Sequence, residues 1–244
     1  MTGATRGIVV RGLAGLAEWS AGSALYRAVF GYAGPEHAVS PRLLAALHEN
    51  AGTVLGAFDE TGRLVGFCYG FAAVERGQLY HYSQATVVDA RAQGRGVGRL
   101  LKRAQADAAR RTGAHTMRWT FDPYALRNAH FNLAVLGATG IRFLPDFYDD
   151  GASDRVLVRW DLDRAGTAAP APAGPPLHGA RDATGNVAVD APADDRTAAA
   201  RPGDRARLRR ELSDRFAEGG RLVGVARRVD APDRVSYLFT QDPV

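Results

Sequence analysis

Apolar and polar residues alternate with two different periods along the first two thirds of the chain. Residues 7–13, Thr53 to Phe58, Arg63 to Val74 and Gln78 to Val88 are apolar runs of strand length bounded by turn residues. Asp59-Glu60-Thr61-Gly62 reads as the hairpin turn between the second and third of them. A helical period covers Leu16 to Tyr32, with Leu16, Trp19, Leu25, Val29 and Phe30 as its expected inner face. A second helix, Arg42 to Asn50, opens with the cap and N1 proline Ser40-Pro41 and is closed by Gly52. A third runs from Arg99 to Arg111, with Leu100, Leu101, Ala104, Ala108 and Ala109 roughly on one face, and stops at Thr112-Gly113. Then follow a strand (His115 to Phe121), a helix (Tyr124 to Leu136) and two strands (Thr139 to Phe143, Asp154 to Leu162). An antiparallel meander that feeds a helical crossover predicts an α/β (α+β) domain over residues 5–163. Its sheet is mixed, mostly antiparallel and flanked by helices.

The periodicity breaks at residue 164. Residues 164–203 hold six of the chain's twelve prolines, many alanines and few large apolar side chains. Such a segment buries too little surface to offset its ordering entropy and reads as a flexible linker, interrupted by one weak strand, Asn186 to Val189. Order returns over 204–244: a helix from Asp204 to Glu218, a Gly219-Gly220 stop, and strands Arg221 to Val229 and Arg234 to Thr240. This α-β-β extension is too small to fold alone. It is expected to dock on the main domain or, in a homodimer, on a second subunit.

Charge changes little in this picture. The net charge of +5 comes from residues 201–228, with nine arginines against four acidic residues, and the rest of the chain is neutral. The basic helix lacks the interleaved aromatic residues that stack bases, so no nucleic-acid partner is expected. No apolar run approaches the ~18 residues of a membrane span, and no signal segment opens the chain. The single cysteine, Cys68, lies in an apolar run and reads as an inert core residue. These features point to the cytoplasm.

The chemistry-bearing stretch is Gln93-Gly94-Arg95-Gly96-Val97-Gly98-Arg99, between a strand and a helix. The first amides of a helix have no partner within it, and the helix dipole adds partial positive charge at the same end. A phosphate can sit there if side chains do not block the approach. Gly94, Gly96 and Gly98 remove those side chains, and Arg91, Arg95 and Arg99 add charge. A P-loop would need Lys-Ser or Lys-Thr after the last glycine, where Arg99-Leu100 stands. A dinucleotide fingerprint needs a different glycine spacing.

The remaining pattern, Gln-x-x-Gly-x-Gly after a strand, resembles the coenzyme A signature of the GNAT acyltransferase superfamily. A second stretch, Trp119-Thr120-Phe121-Asp122-Pro123 with Arg127-Asn128-Ala129-His130-Phe131-Asn132-Leu133 and Leu136-Gly137, resembles a bacterial branch with a W-x-F-D-P…N-A-x-F-N…L-G signature. The resemblance implies a GNAT fold and transfer of an acyl group from acetyl-CoA or another acyl-CoA to an amine. The acceptor is expected to be a small molecule, an amino acid among the candidates, and the acyl group acetyl or succinyl. Thr86, Val87 and Val88 would bond the pantetheine as if it were an extra strand. The Gln93 to Arg99 turn would hold the diphosphate, and Asn128 and Asn132 would add bonds to the coenzyme. No metal is called for.

Candidate proton-transfer groups are His81, Tyr82, Asp122 and Tyr124, with His130 and Tyr148 behind them. Many superfamily members protonate the departing thiolate from a tyrosine at the position that Leu133 fills here. That departure motivates an alternative, a non-catalytic coenzyme A binding module. Limited proteolysis of the whole protein is expected to cut first within 164–203. Resistance there with cleavage elsewhere would contradict the linker.

Overall fold

The computed structural model describes residues 7–163, 187–192, 202–228, 231 and 233–241. They belong to two compact units, Met1–Trp119 and Thr120–Val244. The stretches 164–186 and 193–201 of the expected linker lie outside the described residues. The part of it between them is a strand.

In the first unit, β1 (Val9–Gly12), β2 (Thr53–Phe58), β3 (Leu64–Glu75) and β4 (Gln78–Val88) pair antiparallel in sequence order. After α3 (Val97–Arg111) the chain returns as β5 (Thr116–Phe121), which pairs parallel with β4. Both faces of β3 are covered, and its alternation assigns them. Phe67 and Tyr69 join Leu13, Leu44, Val54 and Val87 against α1 (Gly15–Phe30) and α2 (Pro41–Glu49). Cys68 joins Ala57, Val65, Ala92, Val97 and Leu101 of the α3 side.

Two helical faces differ from expectation. On α1, Leu16 is 66% and Phe30 49% exposed, while Gly22 and Ser23 are buried and Trp19 and Leu25 pack only partly. A Cβ on Gly22 would come within 2.9 Å of the Phe67 ring, so the helix docks through a small-residue stripe rather than through its largest side chains. On α3 the buried set is Val97, Leu101, Lys102, Gln105, Ala106 and Ala109. Two polar residues thus sit inside, where the apolar pattern had placed Leu100, Ala104 and Ala108.

The second unit carries α4, a single α-turn (Leu126–Ala129) that continues as a π-helix (His130–Val135), where an ordinary helix from Tyr124 was expected. The turn before it is held by Asp122, whose Oδ1 accepts the Tyr124 amide at 2.8 Å. Its antiparallel strands run in the order β7 (Arg155–Asp161), β6 (Thr139–Leu144), β9 (Arg221–Arg227), β10 (Arg234–Thr240), β8 (Val187–Pro192). Helix α5 (Pro202–Ala217) buries Leu208 and Leu212, and Phe216 meets Phe239 edge-on at 5.2 Å. Tyr237, fully buried, donates its hydroxyl to the Pro123 carbonyl at 2.6 Å. Arg228 and Ser236 both donate to the Asp190 carboxylate. The C-terminal strands are therefore part of the second unit's sheet.

Phe67 lies between the helical layer and the sheet with no exposed surface. Phe67→Ala should lower the unfolding free energy by about 3–5 kcal/mol, the usual cost of a large aromatic cavity, read as a lower urea midpoint.

Candidate active site

β4 ends at Val88, and the turn that follows is built by two side chains folding back on the backbone. Asp89 accepts the Arg91 amide at 2.9 Å and the Arg63 guanidinium at 2.8 Å. Gln93 donates Nε2 to the Val88 carbonyl at 3.0 Å. The glutamine of the motif therefore clamps the turn to the strand end.

Gly94 and Gly96 then take φ of 76° and 80°, the left-handed region that favours glycine. A Cβ on Gly94 would meet nothing within 4 Å, so the space over the turn is open. Gly96 is the N-cap of α3 and has no side chain to occupy the helix's first amides. Val97, 1% exposed, anchors the turn in the core beside Leu101, while Arg95 and Arg99 are exposed. This is an anion cradle of backbone donors with two cations at its rim. It fits a diphosphate.

Upstream of the turn, β4 contains one residue more than its partner. The register passes from Tyr69↔Ala85 to Gly70↔Ser83, so Gln84 is bulged out. The parallel pairing with β5 is confined to His81↔Met117 and Tyr82↔Arg118. From Ser83 to Val88 the β5-facing edge of β4 carries no pairing with Thr116 to Trp119. Such an edge can receive an extended chain. Thr86 and Val88 lie on it, Val87 points into the core, and the buried Thr86 Oγ1 has no partner among the described residues. Those residues and the turn suit a coenzyme with an amide-containing arm and a diphosphate.

The proposed proton-transfer residues have other surroundings. His81 has no exposed surface. Its Nε2 lies 3.0 Å from Thr53 Oγ1, which in turn accepts from Gln105 Nε2 at 2.8 Å. Burial, and then the charge of Lys102, pull its ring down to about 4. It is a neutral core histidine at physiological pH. Tyr82 is half-buried with its ring 5.4 Å from Phe71. In the second unit Asp122 shapes the turn. Tyr124 donates its hydroxyl to Asp154 at 2.6 Å under the Arg205 guanidinium, and burial followed by that bond pushes its pKa up. Asn128 and His130 are exposed, Asn132 is buried and Tyr148 is exposed.

One group was missed by the sequence reading. Lys102, 3% exposed, donates Nζ to Ser83 Oγ at 2.7 Å and lies 3.7 Å above the Trp119 ring. Burial lowers it from the usual lysine value to about 7. A signal was present, since Lys102 is the only lysine beside thirty arginines. Among the described residues no group of three or more His, Cys, Asp or Glu could hold a metal, and no helix is long and apolar enough to cross a membrane.

Residues 19–137 match the Acetyltransferase (GNAT) family. The chain carries a GNAT acetyltransferase domain. It is accordingly an acyl-CoA-dependent N-acyltransferase, with acyl-CoA as co-substrate. No curated relative matches it by sequence. Solved structures share the GNAT fold at low identity. YncA of Salmonella typhimurium, solved with acetyl-CoA, is 20% identical over 68% of this chain and 100% of its own, with a TM-score of 0.53. A GNAT-family protein of Desulfovibrio desulfuricans is 17% identical over 64% and 99%, at 0.52. The ribosomal-protein-S18-alanine N-acetyltransferase of Escherichia coli is 16% identical over 66% and 97%, at 0.51.

The buried titratable groups of this GNAT unit set a pH dependence. His81 is lowered from 6.5 to about 4, so the unfolded chain binds the extra proton and stability rises with pH across that window. Lys102 is lowered from 10.5 to about 7, so stability rises again above about 7. Cys68 is raised from 9.0 to about 12, so stability falls above about 9. Urea midpoints should therefore climb between pH 7 and 8.5 in the wild type and stay flat across the same range in Lys102→Met.

Proposed function

We propose that the protein moves a short acyl group, acetyl or succinyl, from acyl-CoA to the amino group of a small molecule. The observation that carries the reading is the open glycine turn on the N-terminus of α3, directly below a stretch of the β4 edge that is unpaired among the described residues. The amides from Gly94 to Arg99, with the Arg95 and Arg99 guanidinium groups, would take the diphosphate. The Thr86 to Val88 edge would align the pantetheine with β4. A backbone amide of that edge would meet the oxyanion that forms when the amine attacks the thioester carbon. One such preorganised donor lowers the barrier by about 3 kcal/mol. The amine attacks uncharged, after losing its proton to water. Holding both reactants in line supplies much of the rate.

An acceptor with a carboxylate, such as an amino acid, is part of the reading, since a guanidinium group binds a carboxylate through two hydrogen bonds. Structural neighbours include an enzyme for ribosomal protein S18 and a NatC complex bound to a peptide, so the acceptor panel should contain short peptides. The buried thiol of Cys68 supports a reducing compartment such as the cytoplasm. A homodimer is part of the same reading.

A second reading, coenzyme binding without turnover, is favoured by Leu133 at the usual tyrosine position and by the committed hydroxyl of Tyr124. A thiol-release screen crossing acetyl- and succinyl-CoA with amino acids, amino sugars, polyamines and peptides separates the two. Binding with no release on any amine would leave only the second. Gly96 tests the cradle itself. Asn and Asp both tolerate its left-handed backbone and differ in charge, so Gly96→Asp should weaken coenzyme A at least tenfold more than Gly96→Asn, read by calorimetry. Equal effects would remove the diphosphate from this turn.

A further inference from the structure

This chain writes thirty of its thirty-one basic residues as arginine. The single lysine, Lys102, stands at a buried position between α3 and the sheet. Arginine stays protonated in every protein environment, whereas a buried lysine can lose its proton. The position therefore holds the one side chain among the lysines and arginines that can lose its proton near neutrality.

Its surroundings sit at a particular point of the fold. Tyr82↔Arg118 is the last β4–β5 pair, and the next residue of each strand is one that Lys102 touches: Ser83 by hydrogen bond and Trp119 through its ring face. Ser83 also adjoins the bulged Gln84. An extended arm rising from the glycine turn along Val88 and Thr86 ends at this corner, because above it β5 occupies the edge of β4. In acyl-CoA the end of that arm is the thioester. Ser83 Oγ accepts from Lys102 and keeps its own hydrogen to donate.

We propose that Ser83 is the catalytic group that protonates the departing coenzyme sulfur, with Lys102 the positioning residue that aims and recharges its hydroxyl. The inference rests on the acyl-transfer reading above. As the amine nitrogen bonds to the carbonyl carbon and the tetrahedral adduct collapses, the carbon–sulfur bond breaks and its electron pair goes to sulfur. The Ser83 proton passes to sulfur while a Lys102 ammonium proton passes to Ser83 Oγ. The proton lost by the amine goes to water, and water reloads Lys102. The products are the amide and the coenzyme thiol. This arrangement supplies the acid that Leu133 cannot.

The titratable groups facing Lys102 are Cys68 from β3 and His81 from β4, and among the described residues no carboxylate acts on it. Both neighbours are uncharged at pH 7, so the ammonium is held only by the Ser83 oxygen and the Trp119 ring, without an opposite charge. A donor poised near 7 can protonate an alkyl thiolate, whose ordinary value is about 8.5, and reload at neutral pH.

The experiment uses the full chain labelled with 13Cε-lysine, which gives one NMR signal. That signal should titrate near pH 7 and move when coenzyme A is added to saturation, with saturation confirmed by thermal shift. A midpoint above 9, or a signal unmoved by bound coenzyme, overturns the proposal even if no acceptor is ever found. Turnover is read as hydroxamate from acetyl-CoA and hydroxylamine. Ser83→Ala and Lys102→Met should each lower kcat at least tenfold, leave KM for acetyl-CoA within twofold, and abolish the limb of the kcat–pH profile that coincides with the NMR midpoint. A Ser83→Ala enzyme that keeps that limb overturns the proposal. Hydroxylamine turnover absent in the wild type, with the NMR shift present, counts against acyl transfer to this acceptor and not against the Lys102–Ser83 pair.

Discussion

A strand edge cannot give the same amides to a neighbouring strand and to a ligand. In the first unit this constraint is met by stopping the β4–β5 pairing after two residue pairs. An unpaired edge left in an ordinary sheet would expose backbone donors and acceptors to any passing strand. Here the bulge at Gln84 bends β4 at the point of divergence, and the glycine turn closes the other end. The edge is thus bounded above by β5 and below by an anion cradle. It matches a ligand with a thioester at one end, amides in the middle and phosphates at the other.

The same corner explains why a charge is tolerated inside the unit. A buried ammonium without a carboxylate partner is costly, and the protein meets part of that cost through the Ser83 oxygen and the negative face of Trp119. The rest appears as a lowered pKa. His81 nearby shifts the same way from a lower ordinary value. Its ring is satisfied on one side by Thr53 and stays neutral. Burial lowers both basic residues of this layer, and their different ordinary values leave the histidine neutral and the lysine near its midpoint at pH 7.

In the second unit, residues that looked chemical in the sequence hold structure together. The Asp122-Pro123-Tyr124 segment supplies a turn-forming carboxylate, a carbonyl for the Tyr237 hydroxyl, and a phenol for Asp154. Arg209 also reaches Asp154, and Arg205 covers the Tyr124 ring. The basic helix therefore places one arginine on this segment and another on its Asp154 partner.

Local pattern was enough to place β2, β4, the glycine turn and α3 to within a residue or two, because strand alternation, turn residues and helix stops act over short distances. It was enough to locate an open glycine turn at a helix N-terminus as well, the feature on which the proposed diphosphate site rests. It misjudged the inner faces of α1 and α3. There a small-residue stripe and two buried polar groups override apolarity, and each depends on a partner far along the chain: Phe67 for Gly22, Ser83 for Lys102, Thr53 for Gln105. Which tyrosines and histidines are buried or hydrogen-bonded, and that the single lysine is buried, was likewise decided only by packing. Protonation depends on desolvation and on neighbours in space, and neither is written in the order of residues.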